Sequence, residues 1–286
     1  MGNGARNVVG LDPETPLSVV RRFGITTLEQ TGSAVVAEMP VAGMHNPLTG
    51  LPSVAALAVL IDDVGGRVNF YRRGVDQWTV SSELTVDLSP GALEMLAVAP
   101  DDPVRASARP VGQAGSTLLS LCTLTHRGMV IGGGTVRTMP LPGGPDGPAR
   151  RGDDPVLRDG HPTLAELMAV EPLPAHGGTY RLLQRPDPIV NNLIGIVHGG
   201  VSSAGLELVA AAAFNHQQDR PLLTESIRVN FLRPFFARPH SDGDAGAQSV
   251  YEATAVRIGR TSAVADASAV GADGKTAVIA RVTGYR

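Results

Sequence analysis

Asn191 to Phe214 reads NNLIGIVHGGVSSAGLELVAAAAF. After His-Gly-Gly the residues are small or apolar on every side, broken only by Ser202, Ser203 and Glu207. A helix without a polar face is buried all round, and its Gly and Ala positions let other backbone come close. Glu207 sits in the middle of that run. A buried carboxylate must be paired or protonated, and those are the conditions for a general base or nucleophile. Gly199 and Gly200 stand at the expected helix start, where unpaired N–H groups and the positive end of the dipole favour a developing oxyanion.

Working outward from this helix, the same order of elements occurs twice. The first half offers a helix near Leu17–Phe23 and strands around Ile25–Glu29 and Ala34–Met39. A Gly/Pro-marked loop, an apolar helix and several long strands follow. The second half offers a helix near Leu164–Val170 and a strand at Thr179–Gln184, then its own Gly-rich loop, small-residue helix and strands. SSELTVDLSP and TESIRVNFLRP both alternate apolar residues with period two and stop at a proline, which argues strand. TLLSLCTLTHRGMVIGGGTVRT and SAVADASAVGADGKTAVIARVT each read as two strands joined at a tight Gly-containing turn. Gly50 and Gly195 lie 145 residues apart, Pro90 and Pro234 144, and Gly128 and Gly274 146. That register indicates a duplicated unit. TMPLPGGPDGPARRGDDPVLRDGHPT, from Thr138 to Thr163, is poor in core residues and reads as an exposed linker. The expected division is residues 1–140, a linker over 141–162, and 163–286.

The chain has 286 residues, 43% hydrophobic and 18% charged, with a net charge of −3. Two ordinary globular units fit that length. Neither nucleic acid nor an anionic membrane is expected as partner, because no basic excess exists to bind them. The single cysteine, Cys122, excludes an internal disulfide and a cysteine-based zinc site. Seven histidines without metal-ligand spacing predict no catalytic metal. No signal-like or membrane-spanning apolar run is present, so a cytoplasmic protein is expected.

The pattern N-x-x-G-x-x-H-G-G, with an acid nine residues after the His, is carried by Asn192, Gly195, His198, Gly199, Gly200 and Glu207. It resembles the phenylacetate-degradation-type thioesterases of the hotdog superfamily. RVNFLRP and the RIGRTSAVADASAVGADGKTAVIARVTG tail resemble the later strands of that family in order and character. The resemblance implies an α+β double hotdog: two antiparallel sheets, each wrapped around a central helix, meeting edge to edge as an intramolecular pseudo-dimer. It also implies hydrolysis of a small-molecule acyl-CoA to free acid and coenzyme A. No cofactor is required beyond the coenzyme A of the substrate, and a homodimer of pseudo-dimers is compatible with it.

In the first half the pattern is eroded. Pro47 stands at the Asn position, Ser53 at the His, and Val54 and Ala55 at the two glycines. Gly50 is kept, the acid becomes Asp62, and Asn46 lies one place from the expected Asn. The resemblance implies composite sites, with Asn, His and Gly from one unit and the acid and a strand hydroxyl from the other. One good site is therefore expected from Asn192, His198, Gly199 and Asp62, with Gly200 and Ser81 (or Ser82) meeting substrate. Glu207 and Thr224, facing the Ser53 loop, would form a weaker or dead one. Asp62 acts in this reading as general base or as nucleophile, and the residues alone leave both open.

Plainer readings exist for each group: a turn histidine at His198, a helix-end carboxylate at Asp62, ordinary strand hydroxyls at Ser81, Ser82 and Thr224. Two other functions compete with this reading, a non-catalytic acyl-CoA sensor and an enoyl-CoA hydratase. The hydratase branch needs an Asp and His about five residues apart in one loop, and that pair is missing. Gly132-Gly133-Gly134 is not followed by Lys and Ser/Thr, so it is no phosphate-binding loop. Arg233, Arg257 and Arg260 are candidates for the coenzyme A phosphates, although exposed strand arginines are usually only solvated.

Overall fold

The computed structural model describes residues 18–143, 154–160, 162–237 and 248–286. The first half contains α1 (Val19–Arg22), β1 (Thr26–Gln30), β2 (Val35–Met39), α2 (Ala55–Phe70), β3 (Gln77–Leu88), α3 (Ala92–Val98), β4 (Val104–Val111), β5 (Leu118–His126) and β6 (Met129–Pro142). The second contains α4 (Leu164–Met168), β7 (Val170–His176), β8 (Thr179–Gln184), α5 (Gly199–Phe214), β9 (Leu223–Phe231), β10 (Val250–Ile258), β11 (Ser262–Val270) and β12 (Thr276–Tyr285).

Alternation builds the strands. In β5 every second residue from Leu118 to His126 is buried, with the intervening ones partly open. The sheet lays this apolar side on the two long helices, each of 16 residues. Those helices touch each other as well as the sheet. Gly200 allows it, because a Cβ there would lie 2.5 Å from the Val59 Cα and 2.9 Å from the Ala58 carbonyl oxygen. A larger residue would push α5 off α2 at the point where their N-terminal portions meet.

The twelve strands among the described residues form one antiparallel sheet, in the order β1-β2-β4-β5-β6-β3-β9-β12-β11-β10-β8-β7. The two sheets expected to meet edge to edge are thus one hydrogen-bonded surface. β3 pairs with β9 from Glu83↔Asn230 to Asp87↔Ser226, with Leu84↔Val229 and Thr85↔Arg228 at the centre. Neither of these strands is left as an open edge, since β6 and β12 flank them.

Several boundaries differ from the sequence reading. α1 starts at Val19 with Ser18 as its cap, and Leu17 lies outside the described residues. α4 stops at Met168, where Ala169 adopts φ 53°, and Val170 already begins β7, which the periodicity had not suggested. α3 also went unread. β6 runs on to Pro142, so the linker's first residues are strand paired with β3. Asp154, also assigned to the exposed linker, is buried against Arg22 because the guanidinium needs a counter-ion. Residues 144–153 and 161 of that linker lie outside the described residues.

Candidate active site

Asp62 sits near the middle of α2, 6% exposed. Its Oδ1 accepts from the Ser81 hydroxyl of β3 at 2.7 Å. A register shift between Ser81 and Glu83 separates the two serines: Ser82 gives its hydroxyl to the Arg137 carbonyl oxygen instead. The structure therefore selects Ser81 over Ser82 as the partner of Asp62. From the other half, the Gly200 N–H in the first turn of α5 donates to Asp62 Oδ2 at 2.7 Å. The carboxylate thus rests against the positive end of a 16-residue helix.

His198 caps α5. Its Nδ1 lies 3.3 Å from Asp62 Oδ2 and 3.2 Å from the Gly200 nitrogen. The shorter, charge-assisted contact gives the Gly200 hydrogen to Asp62. Nδ1 thus stands beside both the carboxylate and the Gly200 nitrogen. Gly199, immediately before Gly200, is partly open to the cavity, and among the described residues nothing accepts from its N–H. Asn192 shapes the loop below: its side-chain oxygen accepts from the Ile194 and Ile196 N–H groups at 3.1 Å each. Gly195 closes the turn at φ 83°, as Gly50 does at φ 71° in the first half.

These groups face a cavity of about 400 Å³. Its walls are Phe70, Trp78 and Val80 on one side and Phe231, Phe235 and Ile196 on the other. Phe70 and Trp78 meet edge to face at 5.1 Å. Beside Asp62, the buried pair Asp63 and Arg67 is closed at 2.6 Å, with Arg67 also held by Thr27 and Gln30. Burial raises the Asp63 carboxyl above its ordinary range, against the pull of Arg67 and His198.

Glu207 occupies the position related to Asp62 by the repeat, and its surroundings are closed. Thr224 donates to Oε1 at 2.6 Å and Ser53 to Oε2 at 3.0 Å, while Ser53 itself accepts from the Ala55 N–H at 3.1 Å. The adjoining cavity is only about 20 Å³. Burial raises the Glu207 carboxyl above the usual range, with the Thr224 and Ser53 hydroxyls opposing. Asn46 orders this loop through Leu48 and reaches the Leu208 carbonyl of α5.

The residues expected from the sequence therefore divide. Asp62, Ser81, Asn192, His198 and Gly199 meet around the large cavity; Glu207 and Thr224 stand in the small closed one. Gly200, expected to meet substrate, spends its N–H on Asp62 instead, because a buried carboxylate is the strongest acceptor in reach. Asp63 and Arg67 were missed, although a second acid followed four residues later by an arginine was a readable helix pair. Val19 and Val20 of α1, which also line the cavity, gave no signal. Among the described residues no three His, Cys, Asp or Glu side chains group as a metal site, and no helix is long and apolar enough to cross a membrane.

Residues 194–278 match the family model described as thioesterase superfamily. No curated protein matches the chain by sequence. Among solved structures, an acyl-CoA thioesterase II of Mycobacterium marinum is similar over 93% of this chain and 96% of its own, at 13% identity and a TM-score of 0.58. A putative thioesterase of Novosphingobium aromaticivorans is similar over 91% and 97%, at 12% identity and a TM-score of 0.56. A conserved protein of unknown function with hotdog fold from Alicyclobacillus acidocaldarius is similar over 91% and 95%, at 16% identity and a TM-score of 0.50. At these identities the likeness is one of fold.

Proposed function

We propose that this chain is an acyl-CoA thioesterase built as a double hotdog, with one working site where its two halves meet. The observation that carries the reading is the Asp62 carboxylate, held by Ser81 of one half and the Gly200 N–H of the other, beside the unoccupied Gly199 N–H. The thioesterase family match over 194–278 supports the reaction class, and the fold likeness is consistent with it. The N-x-x-G-x-x-H-G-G loop favours the phenylacetate-degradation type within the superfamily, and a cytoplasmic location suits coenzyme A chemistry.

In the reaction, the thioester carbonyl oxygen accepts from Gly199 N–H at the α5 N-terminus, where negative charge develops on attack. A water molecule gives a proton to Asp62 as its oxygen bonds the carbonyl carbon. The C–S bond then breaks, and the departing sulfur takes that proton to leave as the thiol of coenzyme A. Asp62 acts as base rather than nucleophile in this scheme, because donors on both of its oxygens hold it as a fixed acceptor. His198 keeps the carboxylate in place, and the apolar walls take the acyl group.

The test is thiol release from short, long and aromatic acyl-CoAs by wild type, Asp62→Asn and Glu207→Gln. Turnover lost in the first variant and kept in the second supports the reading. No release from any member by wild type refutes it.

A further inference from the structure

Arg22 has 1% of its side chain exposed and carries two acidic partners that are distant in sequence. Its Nε and Nη2 grip both oxygens of Asp154 at 2.6 and 2.7 Å, and its Nη1 meets Asp187 Oδ2 at 2.5 Å. The other oxygen of Asp187 caps the 3-10 turn Pro188–Val190 by accepting from Ile189 N–H at 2.8 Å. At the end of that turn the Val190 carbonyl accepts from His198 N–H at 2.9 Å. A continuous set of hydrogen bonds thus runs from a buried guanidinium in the first half to the residue that precedes Gly199.

The repeat provides an internal control. Leu167 of α4 lies 145 residues after Arg22, and it is buried and apolar. The ionic anchor adjoins Val19 and Val20, which line the open cavity of about 400 Å³, whereas the repeat-related place holds a leucine. A buried ion pair adds little to stability over an apolar packing of equal volume, so an ionic group at this one of the two places calls for another role. A bidentate fork fixes direction as well as distance, and leucine does not.

We infer that Arg22 is a positioning residue for the catalytic loop: with Asp154 and Asp187 it sets the place of His198 and the Gly199 N–H. The inference rests on the thioesterase reading only for its kinetic arm.

The experiment pairs hydrogen–deuterium exchange of the full chain, without substrate, with steady-state thiol release. Arg22→Met, Arg22→Lys and Asp187→Asn are compared with wild type. Expected is exchange at least tenfold faster over residues 188–199 in Arg22→Met and Asp187→Asn, with residues 55–70 unchanged. kcat is expected to fall at least tenfold with KM within about twofold, and Arg22→Lys to recover part of both effects. Should Arg22→Met fail to fold, Asp187→Asn decides, since it keeps a side-chain oxygen for the Ile189 N–H and loses the charge that meets Arg22. Unchanged exchange over 188–199, or equal acceleration everywhere, overturns the inference. A wild type without thiolesterase activity would sink the proposed function, and the exchange comparison would still decide this one.

Discussion

The Gly200 N–H donates to Asp62 Oδ2 at 2.7 Å across 138 residues of sequence. At the repeat-related place, Ala55 N–H reaches Glu207 only through Ser53, whose hydroxyl accepts at 3.1 Å and donates on at 3.0 Å. The two buried carboxylates therefore have equivalent positions and different neighbours. Asp62 faces a cavity and an unused N–H, whereas Glu207 is enclosed by two hydroxyls with no room for an acyl group. Both carboxylates have a donor on each oxygen, so it is the space beside Asp62 that leaves chemistry available to it.

Asp62→Asn removes the proposed base and keeps the volume. The amide can still accept from Gly200 or Ser81, so the fold is expected to persist. Turnover is expected to fall about 10²- to 10⁴-fold, the usual worth of a positioned general base. Thiol release at saturating acyl-CoA measures it; a variant within a factor of a few of wild type would remove Asp62 from the chemistry.

Gly199→Ala tests how closely the donor and the acid are set. A Cβ on Gly199 would lie 2.8 Å from Asp62 Oδ2 and 3.3 Å from the Phe231 ring. The helix tolerates alanine, so the expected damage is local. Displacement of the carboxylate or the N–H by some fraction of an ångström should lower kcat about 10²-fold, with melting temperature nearly unchanged. Equal losses in both measurements would point to misfolding instead.

Much of this candidate site was legible because its proposed chemistry is carried by rare residues in fixed order. His198, the two glycines and the acid each need a particular residue type, so their spacing survives as text. Asp62 was found only through the 145-residue offset, since Pro47, Ser53, Val54 and Ala55 had erased the rest of the motif. The parts that stayed hidden are set by tertiary contact. Val170–His176 reads Val-Glu-Pro-Leu-Pro-Ala-His, and two prolines argue against strand until one sees that β7 is a sheet edge, where missing N–H groups cost nothing. Asp154, one of the two partners of Arg22, lies 132 residues away in a stretch whose composition suggests only solvent. The choice of Ser81 over Ser82 depends on a bulge that alternation cannot locate.

Glu207→Gln should keep the activity and change how stability depends on pH. Burial raises the folded Glu207 carboxyl above its ordinary value. A group shifted in that direction favours folding fully below its unfolded pKa, and this contribution is lost as pH rises through the folded value. Wild type is therefore expected to lose melting temperature as pH climbs above the ordinary carboxylate range. Glutamine has no proton to lose, so the variant should show a flatter curve and a relative gain at higher pH. Asp63 shifts in the same direction and keeps some slope in both proteins. Identical curves for wild type and variant would mean that Glu207 is not the group responsible.

Gly66 bears on how much room the acyl group has. It lies inside α2, one turn beyond Asp62, and lines the same cavity. A helix-interior glycine costs roughly 0.5–1 kcal/mol relative to alanine. No packing reason offsets that here, since a Cβ at Gly66 would meet nothing within 4 Å. Open space is what the missing side chain provides. Gly66→Ala should therefore raise the melting temperature slightly and leave small acyl-CoAs unaffected. Gly66→Leu should fill part of the cavity, lowering kcat/KM for aromatic or longer acyl groups at least tenfold while sparing the shortest. The measurement is the acyl-CoA panel run beside thermal unfolding of both variants. A leucine variant with an unchanged substrate profile would mean that the acyl group does not pass over Gly66, and the cavity wall formed by Phe70 and Trp78 would lose its assigned role.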